Sequence, residues 1–197
     1  MQDDNGRVVE ERYLDANGDP VARYGDHYGV SYEYDETGTV ITYLDAEGNP
    51  IIRSDGYSTI VRTLVDGRES DDFYYDLNGQ QVQCSGGYYG LHREYNAEGQ
   101  NISLTFLDKK GRAMCSSSGC ASVTYQCDID GTVVGEHYFD TEGNPVRSLL
   151  GQYGELYQRN EQGYIGQVTY LGADGKPTPT NAGYTILKRT YLSLIHI

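Results

Sequence analysis

The sequence predicts an all-β fold: tandem repeats of about 32 residues forming an antiparallel β-meander array, an elongated or coiled repeat sheet. Three observations predict it. One phrase recurs six times, the segments between its copies alternate in polarity with a period of two, and the joints carry Asp-x-x-Gly turns. The phrase reads YLDANGDP from Tyr13, YLDAEGNP from Tyr43, YYDLNGQQ from Tyr74, FLDKKGRA from Phe106, YFDTEGNP from Tyr138 and YLGADGKP from Tyr170.

Glycine sets the period. The phrase places Gly18, Gly48, Gly79, Gly111, Gly143 and Gly175 at steps of 30, 31, 32, 32 and 32. A second series lies between them: Gly6, Gly38, Gly67, Gly99, Gly131 and Gly163. A third falls eight residues after the phrase glycine, at Gly56, Gly87, Gly119, Gly151 and Gly183. These three slots hold 17 of the 25 glycines, and Pro20, Pro50, Pro145 and Pro177 share one further slot. Such regularity means a stacked array, in which a unit alone buries too little and neighbours complete its core.

The first strand of each unit precedes the second glycine series. Counting ten back from those glycines gives Tyr28, Tyr57, Tyr89, Ala121 and Tyr153, and the tyrosines among them are expected to form one buried column. Eight and six back give Val30 and Tyr32 in the first copy, with Gly29, Ser31 and Glu33 between them. Strict alternation of this kind is a strand with one buried face. The second strand runs into the phrase and carries the aromatic column Tyr13, Tyr43, Tyr74, Phe106, Tyr138 and Tyr170. A shorter third piece completes the unit. The connectors are Asp-x-x-Gly, in which Asp caps the turn and Gly takes the positive φ. Gly18, Gly38, Gly48, Gly79, Gly99, Gly111, Gly131, Gly143, Gly163 and Gly175 are the expected turn glycines. One array of about six units is expected over residues 1–192, the first incomplete. Residues 193–197 (SLIHI) depart from the pattern and resemble translated adapter sequence more than a native strand.

Composition narrows the functional classes. Lys plus Arg is 15 against 29 Asp plus Glu, a net charge of −14. Nucleic acid and anionic membrane surfaces are disfavoured as partners, because both demand a basic face. No run of about 18 apolar residues exists to insert in a membrane as a helix. Tyr at 20, with Phe at 3 and no Trp, supplies the large buried area. The first residues, MQDDNGRVVEERY, have neither a basic nor an apolar region of a signal peptide. They begin in mid-unit, so this does not fix the compartment.

At Y-x-Y-D-x-x-G (residues 32–38) and R-x-Y-N-A-E-G (residues 93–99) the chain resembles the YD repeats of the Rhs family. YFDTEG (residues 138–143) is also similar to the YFDxxG phrase of clostridial toxin and choline-binding-type repeats. The resemblance implies a β-repeat array on a secreted or surface bacterial protein, part of a longer chain, and the second phrase implies carbohydrate binding. The departures are a longer period, the absence of the Trp that lines choline sites, and the lack of a toxin or protease motif.

No catalytic residue, metal or cofactor is expected. DANGD (residues 15–19) has the alternating oxygens that open a calcium loop, but Pro20 replaces the loop's glycine and the other copies drift to DLNGQ and DKKGR. Turn capping is the expected role. Cys84, Cys115, Cys120 and Cys127 contain no C-x-x-C pair. Cys84 and Cys115 fall in comparable loops of adjacent units, and the expectation is either a disulfide between them or free thiols. His27, His92, His137 and His196 occupy different repeat slots, and the Gly-rich CSGGYYG leads into a strand where a phosphate loop needs a helix. The expected function is a non-catalytic spacer, shell or adhesive surface, with a glycan-binding module as the alternative. The partners implied are a glycan or another protein. Self-association through uncapped ends is expected as salt screens the net charge.

Overall fold

A computed structural model describes residues 1–191. The SLIHI segment and His196 lie outside the described residues. Twelve strands are present among them: β1 (Glu10–Arg12), β2 (Gly29–Tyr34), β3 (Gly38–Leu44), β4 (Thr59–Val65), β5 (Arg68–Tyr75), β6 (Gly90–Tyr95), β7 (Asn101–Leu107), β8 (Ser122–Cys127), β9 (Val133–Phe139), β10 (Gly154–Arg159), β11 (Ile165–Leu171) and β12 (Ile186–Lys188). The sheet order follows the chain from β1 to β12, an antiparallel meander, and the described residues include no helix. Contacts divide the chain into two compact units, Met1–Arg93 with Phe106–Arg112, and Glu94–Thr105 with the chain from Ala113 onward.

Each repeat is a long hairpin followed by a short clasp. The hairpin is the expected strand pair, such as β2 with β3 in the register Val30↔Tyr43 and Tyr32↔Ile41. After the phrase the chain reverses around the phrase Asp. In the fifth copy the Asp140 carboxylate accepts the N–H of Glu142 at 2.9 Å and that of Asn144 at 2.8 Å, while the Gly143 N–H donates to the Asp140 carbonyl. Gly143 has φ 82° and Gly48 has φ 96°, a region closed to residues with a bulky Cβ. The chain then runs back beside the phrase for two residues, with Ile51 donating to the Tyr43 carbonyl and Val146 to that of Tyr138. The shared proline slot pairs here, as Leu44↔Pro50 and Phe139↔Pro145. Proline suits the slot because no donor is required of it. A second tight turn, such as Arg53 N–H to the Tyr57 carbonyl at 2.8 Å, leads into the next hairpin. The third piece is therefore a hydrogen-bonded loop rather than a strand.

The turn assignment holds at Gly18, Gly48, Gly79, Gly99, Gly111, Gly131, Gly143, Gly163 and Gly175, all with φ between 72° and 96°. Gly38 is the correction. It is the first residue of β3, with no positive φ, and a Cβ there would run into the Arg62 carbonyl of β4. The cause is a tighter hairpin tip. Asp35 N–H bonds to the Gly38 carbonyl, three residues on, where Asp128 reaches Thr132, four residues on. Gly38 thus occupies the strand-start slot taken by Val133 and Ile165 in later copies, five residues before the phrase ring.

The Tyr28, Tyr57, Tyr89 and Tyr153 column is also corrected. Phrase N–H groups identify true equivalents: Tyr13 donates to Tyr28, Tyr43 to Ser58, Tyr74 to Tyr89 and Tyr138 to Tyr153. Tyr57 is one residue out of that series. The β4–β5 tip is the two-residue turn Asp66–Gly67, with φ 51° and 75°, so counting back from Gly67 lands one residue short. Only Tyr57 is buried, at 7% exposure, in a cluster with Ile60, Tyr74 and Cys84. Tyr28, Tyr89 and Tyr153 are half-buried, with Lys109 lying over Tyr89 and Arg147 over Tyr153.

The disulfide does not form, and all four cysteines are free thiols. Cys84 and Cys115 are one slot apart rather than equivalent. Cys84 opens its loop turn by donating to the Tyr88 carbonyl, whereas in the next copy Ser116 does so toward Cys120. Cys84 is accordingly buried and Cys115 exposed.

Tyr57→Ala is expected to destabilise the protein by roughly 3–5 kcal/mol, and Tyr28→Ala by less than half as much, in urea titrations followed by circular dichroism. Equal losses would restore the single column. Gly143→Val is expected to cost about 1–3 kcal/mol, because a β-branched residue resists φ 82°.

Candidate functional site

The clasp loops carry a second set of rings, and these fit between the phrase rings. In the first unit the centroid distances run Tyr13–His27 5.6 Å, His27–Tyr43 4.9 Å, Tyr43–Tyr57 6.0 Å, Tyr57–Tyr74 4.5 Å, Tyr74–Tyr88 6.0 Å and Tyr88–Phe106 4.6 Å. Seven rings thus form one ladder, phrase ring alternating with loop ring. Most neighbours meet edge-on or tilted, as ring quadrupoles prefer. In the second unit the loop slot holds Cys120, Gln152 and Tyr184. Tyr138 and Tyr170 are buried there, and Tyr170 meets Tyr184 at 5.5 Å.

Consecutive loops are also linked through backbone donors. Ser85 N–H donates to the Asp55 carbonyl and Asn181 N–H to that of Leu150. The first loop does this differently. Its third-series slot holds Asp26 in place of glycine, and Gly25 stands one residue earlier. The Asp26 carboxylate takes over the acceptor role, receiving Ser54 N–H at 2.8 Å, Arg53 Nε at 2.5 Å and a His27 Nδ1 contact at 3.2 Å. Burial works to raise the Asp26 pKa, and these donors outweigh it, holding the carboxyl well below the usual range. The exchange has a backbone cost. Tyr24 is forced to φ 54° and its side chain is 91% exposed.

This irregular loop borders a cleft of about 410 Å³ in the first unit, lined by Tyr13, Tyr24, Tyr32 and Tyr43 and by Arg23, Arg53 and Arg62. The three guanidiniums are not equivalent. Arg53 lies 4.4 Å over the Tyr43 ring and is bound to Asp26 and Asp55. Arg62 grips Asp72 with Nε at 2.7 Å and Nη2 at 2.9 Å, and also meets Glu69. Arg93 reaches the same Asp72 from β6 at 2.8 Å. Asp72 is only 2% exposed. Burial would raise its pKa, but the two arginines keep it depressed. Arg23 has no carboxylate partner among the described residues. Its guanidinium lies 5.3 Å from the Tyr13 ring centre and 5.5 Å from that of Tyr24, and Nη1 donates to Tyr13 Oη at 3.2 Å.

Of the residues expected from the sequence, Tyr13 and Tyr43 reach this cleft. Tyr74 and Phe106 serve the ladder of the first unit, and Tyr138 and Tyr170 the core of the second. The turn carboxylates are committed to backbone donors. Asp15 accepts Asn17 and Asp19 N–H, and Asp108 accepts Lys110 and Arg112 N–H. The Arg112 backbone and guanidinium hold Asp108 at a pKa of about 2. Arg23, Tyr24, Asp26, His27 and Arg53 were outside the expected set. Their only signal is the first loop's departure from the third glycine series. Comparison with known proteins finds no family model and no curated protein that matches this chain.

The second unit carries an opposed acid pair. Glu136 and Glu155 face each other across β9 and β10, and Gln152 donates to Glu155 at 2.7 Å. Burial raises the Glu155 pKa, and Glu136 adds to the rise against the Gln152 bond.

Three outcomes follow from these networks. Asp72→Ala is expected to cost about 1.5–3 kcal/mol, since it takes the shared carboxylate from two half-buried guanidiniums and leaves them Glu69. A loss under about 1 kcal/mol in denaturant titrations would show the cluster to be solvated. Asp15, Asp45, Asp76, Asp108 and Asp140 have depressed folded pKa values, so their stabilisation is complete above the unfolded value near 3.8 and is lost as pH falls toward 2, where Asp108 titrates. Urea midpoints should drop steeply between pH 4 and about 2. Glu155 has the opposite sign: its raised pKa makes the fold most favoured below the unfolded carboxyl value, with stability falling as pH rises through the folded one. Glu155→Gln is therefore expected to stabilise at pH 7 by roughly 0.5–1 kcal/mol and to be neutral at pH 3.

Proposed function

We propose that this chain is a non-catalytic β-repeat segment of a bacterial surface or secreted protein, acting as a spacer that presents an adhesive surface, and that the cleft of the first unit is that surface and takes carbohydrate. The observation that carries this reading is the gathering of four tyrosine rings in one cleft, with Tyr24 open to solvent. Sugar rings stack on such faces because their C–H groups meet the negative side of the aromatic quadrupole. The resemblance of residues 32–38 and 93–99 to YD repeats supports the surface or secreted placement.

A purely structural spacer is the second reading. It is favoured by the way the recurrent side chains are used up internally: turn aspartates on backbone donors, phrase rings in the ladder and core. A glycan array with the purified chain separates the two. Saturable binding that Tyr24→Ala removes is expected. Absence of saturable binding to every glycan would leave only the spacer.

A further inference from the structure

We infer that the cleft of the first unit selects acidic saccharides, rings bearing a carboxylate, over neutral ones. This rests on the carbohydrate reading of the same cleft and deepens it. Sugar-binding aromatic sites are commonly bordered by groups that accept from sugar hydroxyls. Here the charged groups on the cleft wall are guanidiniums, which donate and accept nothing.

The balance of charge in the cleft decides the ligand. Arg53 is neutralised by Asp26 and Asp55, and Arg62 by Asp72 and Glu69. Arg23 alone brings its charge without a carboxylate among the described residues. It lies over the Tyr13 and Tyr24 rings in cation–π contact and hydrogen-bonds to both hydroxyls, which still leaves N–H groups of its five to meet a ligand. A guanidinium fixed this way is preorganised for a bidentate carboxylate, with less side-chain entropy left to lose. The Tyr24 ring, 91% exposed, offers the stacking surface for the ring that carries the acid. With a net charge of −14, an anion gains little elsewhere on the chain.

The loop conformation is consistent with a binding role. Tyr24 and Gly25 together carry the turn, at φ 54° and 72°, and the turn sets the Tyr24 ring at the mouth of the cleft. The other clasp loops place their positive φ on glycine and present no ring at this position.

The test uses the whole chain and calorimetric titration with oligosaccharides of galacturonate and of glucuronate, each against its own methyl ester. The ester keeps the ring and hydroxyls and removes the charge. The expected result is acid binding at least about tenfold tighter than ester, the size of one charge-assisted pair. Arg23→Gln is expected to erase that difference without changing the thermal midpoint, since Arg23 is exposed. Tyr24→Gly relieves the φ 54° strain, so its thermal midpoint should hold or rise while acid and ester both bind more weakly. Equal binding of acid and ester would overturn the acidic preference and leave the carbohydrate reading standing. Binding of neither overturns both. An acid preference that survives Arg23→Gln overturns the assignment to this cleft.

Discussion

The rest of the structure depends on a spacing constraint: a loop residue must fall between two successive phrase rings. From the phrase glycine to that residue is nine positions in all six copies, Gly18 to His27, Gly48 to Tyr57, Gly79 to Tyr88, Gly111 to Cys120, Gly143 to Gln152 and Gly175 to Tyr184. The Asp-capped turn, the proline slot and the second turn together hold that count. Tyr57, for example, sits 4.5 Å from Tyr74 and 6.0 Å from Tyr43 because the clasp delivers it there. The hairpin tips carry no such constraint. Their lengths differ, and together with the bulge that the later hairpins carry near the tip and the first lacks, this makes the first two repeat steps 30 and 31 rather than 32. A single-layer sheet gains its core from these clasps, which fold over the hairpins and fill between the rings.

Where the sequence was legible, one local rule sufficed. Asp-x-x-Gly turns could be read because Asp and Gly each do one thing there, and nine of ten turn glycines have the expected backbone. The phrase column was legible because alternation and turn agree at Tyr43, Tyr74 and Tyr138. The misreadings at Gly38 and Tyr57 share one origin. Each came from treating as fixed a spacing that varies by one or two residues, and in strands and tight turns such an offset changes a side chain's environment completely. The invariant count of nine was present in the residues. Its significance appears only once the loop is seen to pack between hairpins rather than to form a third strand.

Other features were hidden for a different reason. Asp72 lies in a strand as one of two adjacent aspartates, and nothing local distinguishes it from its half-buried neighbour Asp71. Its role comes from Arg62 and Arg93, ten and 21 residues away. The cleft is equally non-local, joining the first two clasp loops to β2, β3 and β4. Its one trace in the sequence is a loop that breaks the glycine series, and the break is where an acidic residue replaces a backbone acceptor. Irregularity within a repeat is informative here because every regular position already has a structural use.

The unequal tolerance of clasp and tip has a consequence for how such a chain diversifies. An inserted residue in a clasp shifts a loop ring out of its gap and is felt by both neighbouring hairpins. An inserted residue at a tip lengthens one turn and stops there, as the tips at residues 35–38, 66–67 and 128–132 already illustrate. Variation should therefore accumulate along the margin of the sheet formed by the tips. That margin would be the place to graft foreign peptides, and shuffling of whole repeats should break at tips and keep each clasp with the two phrases it joins.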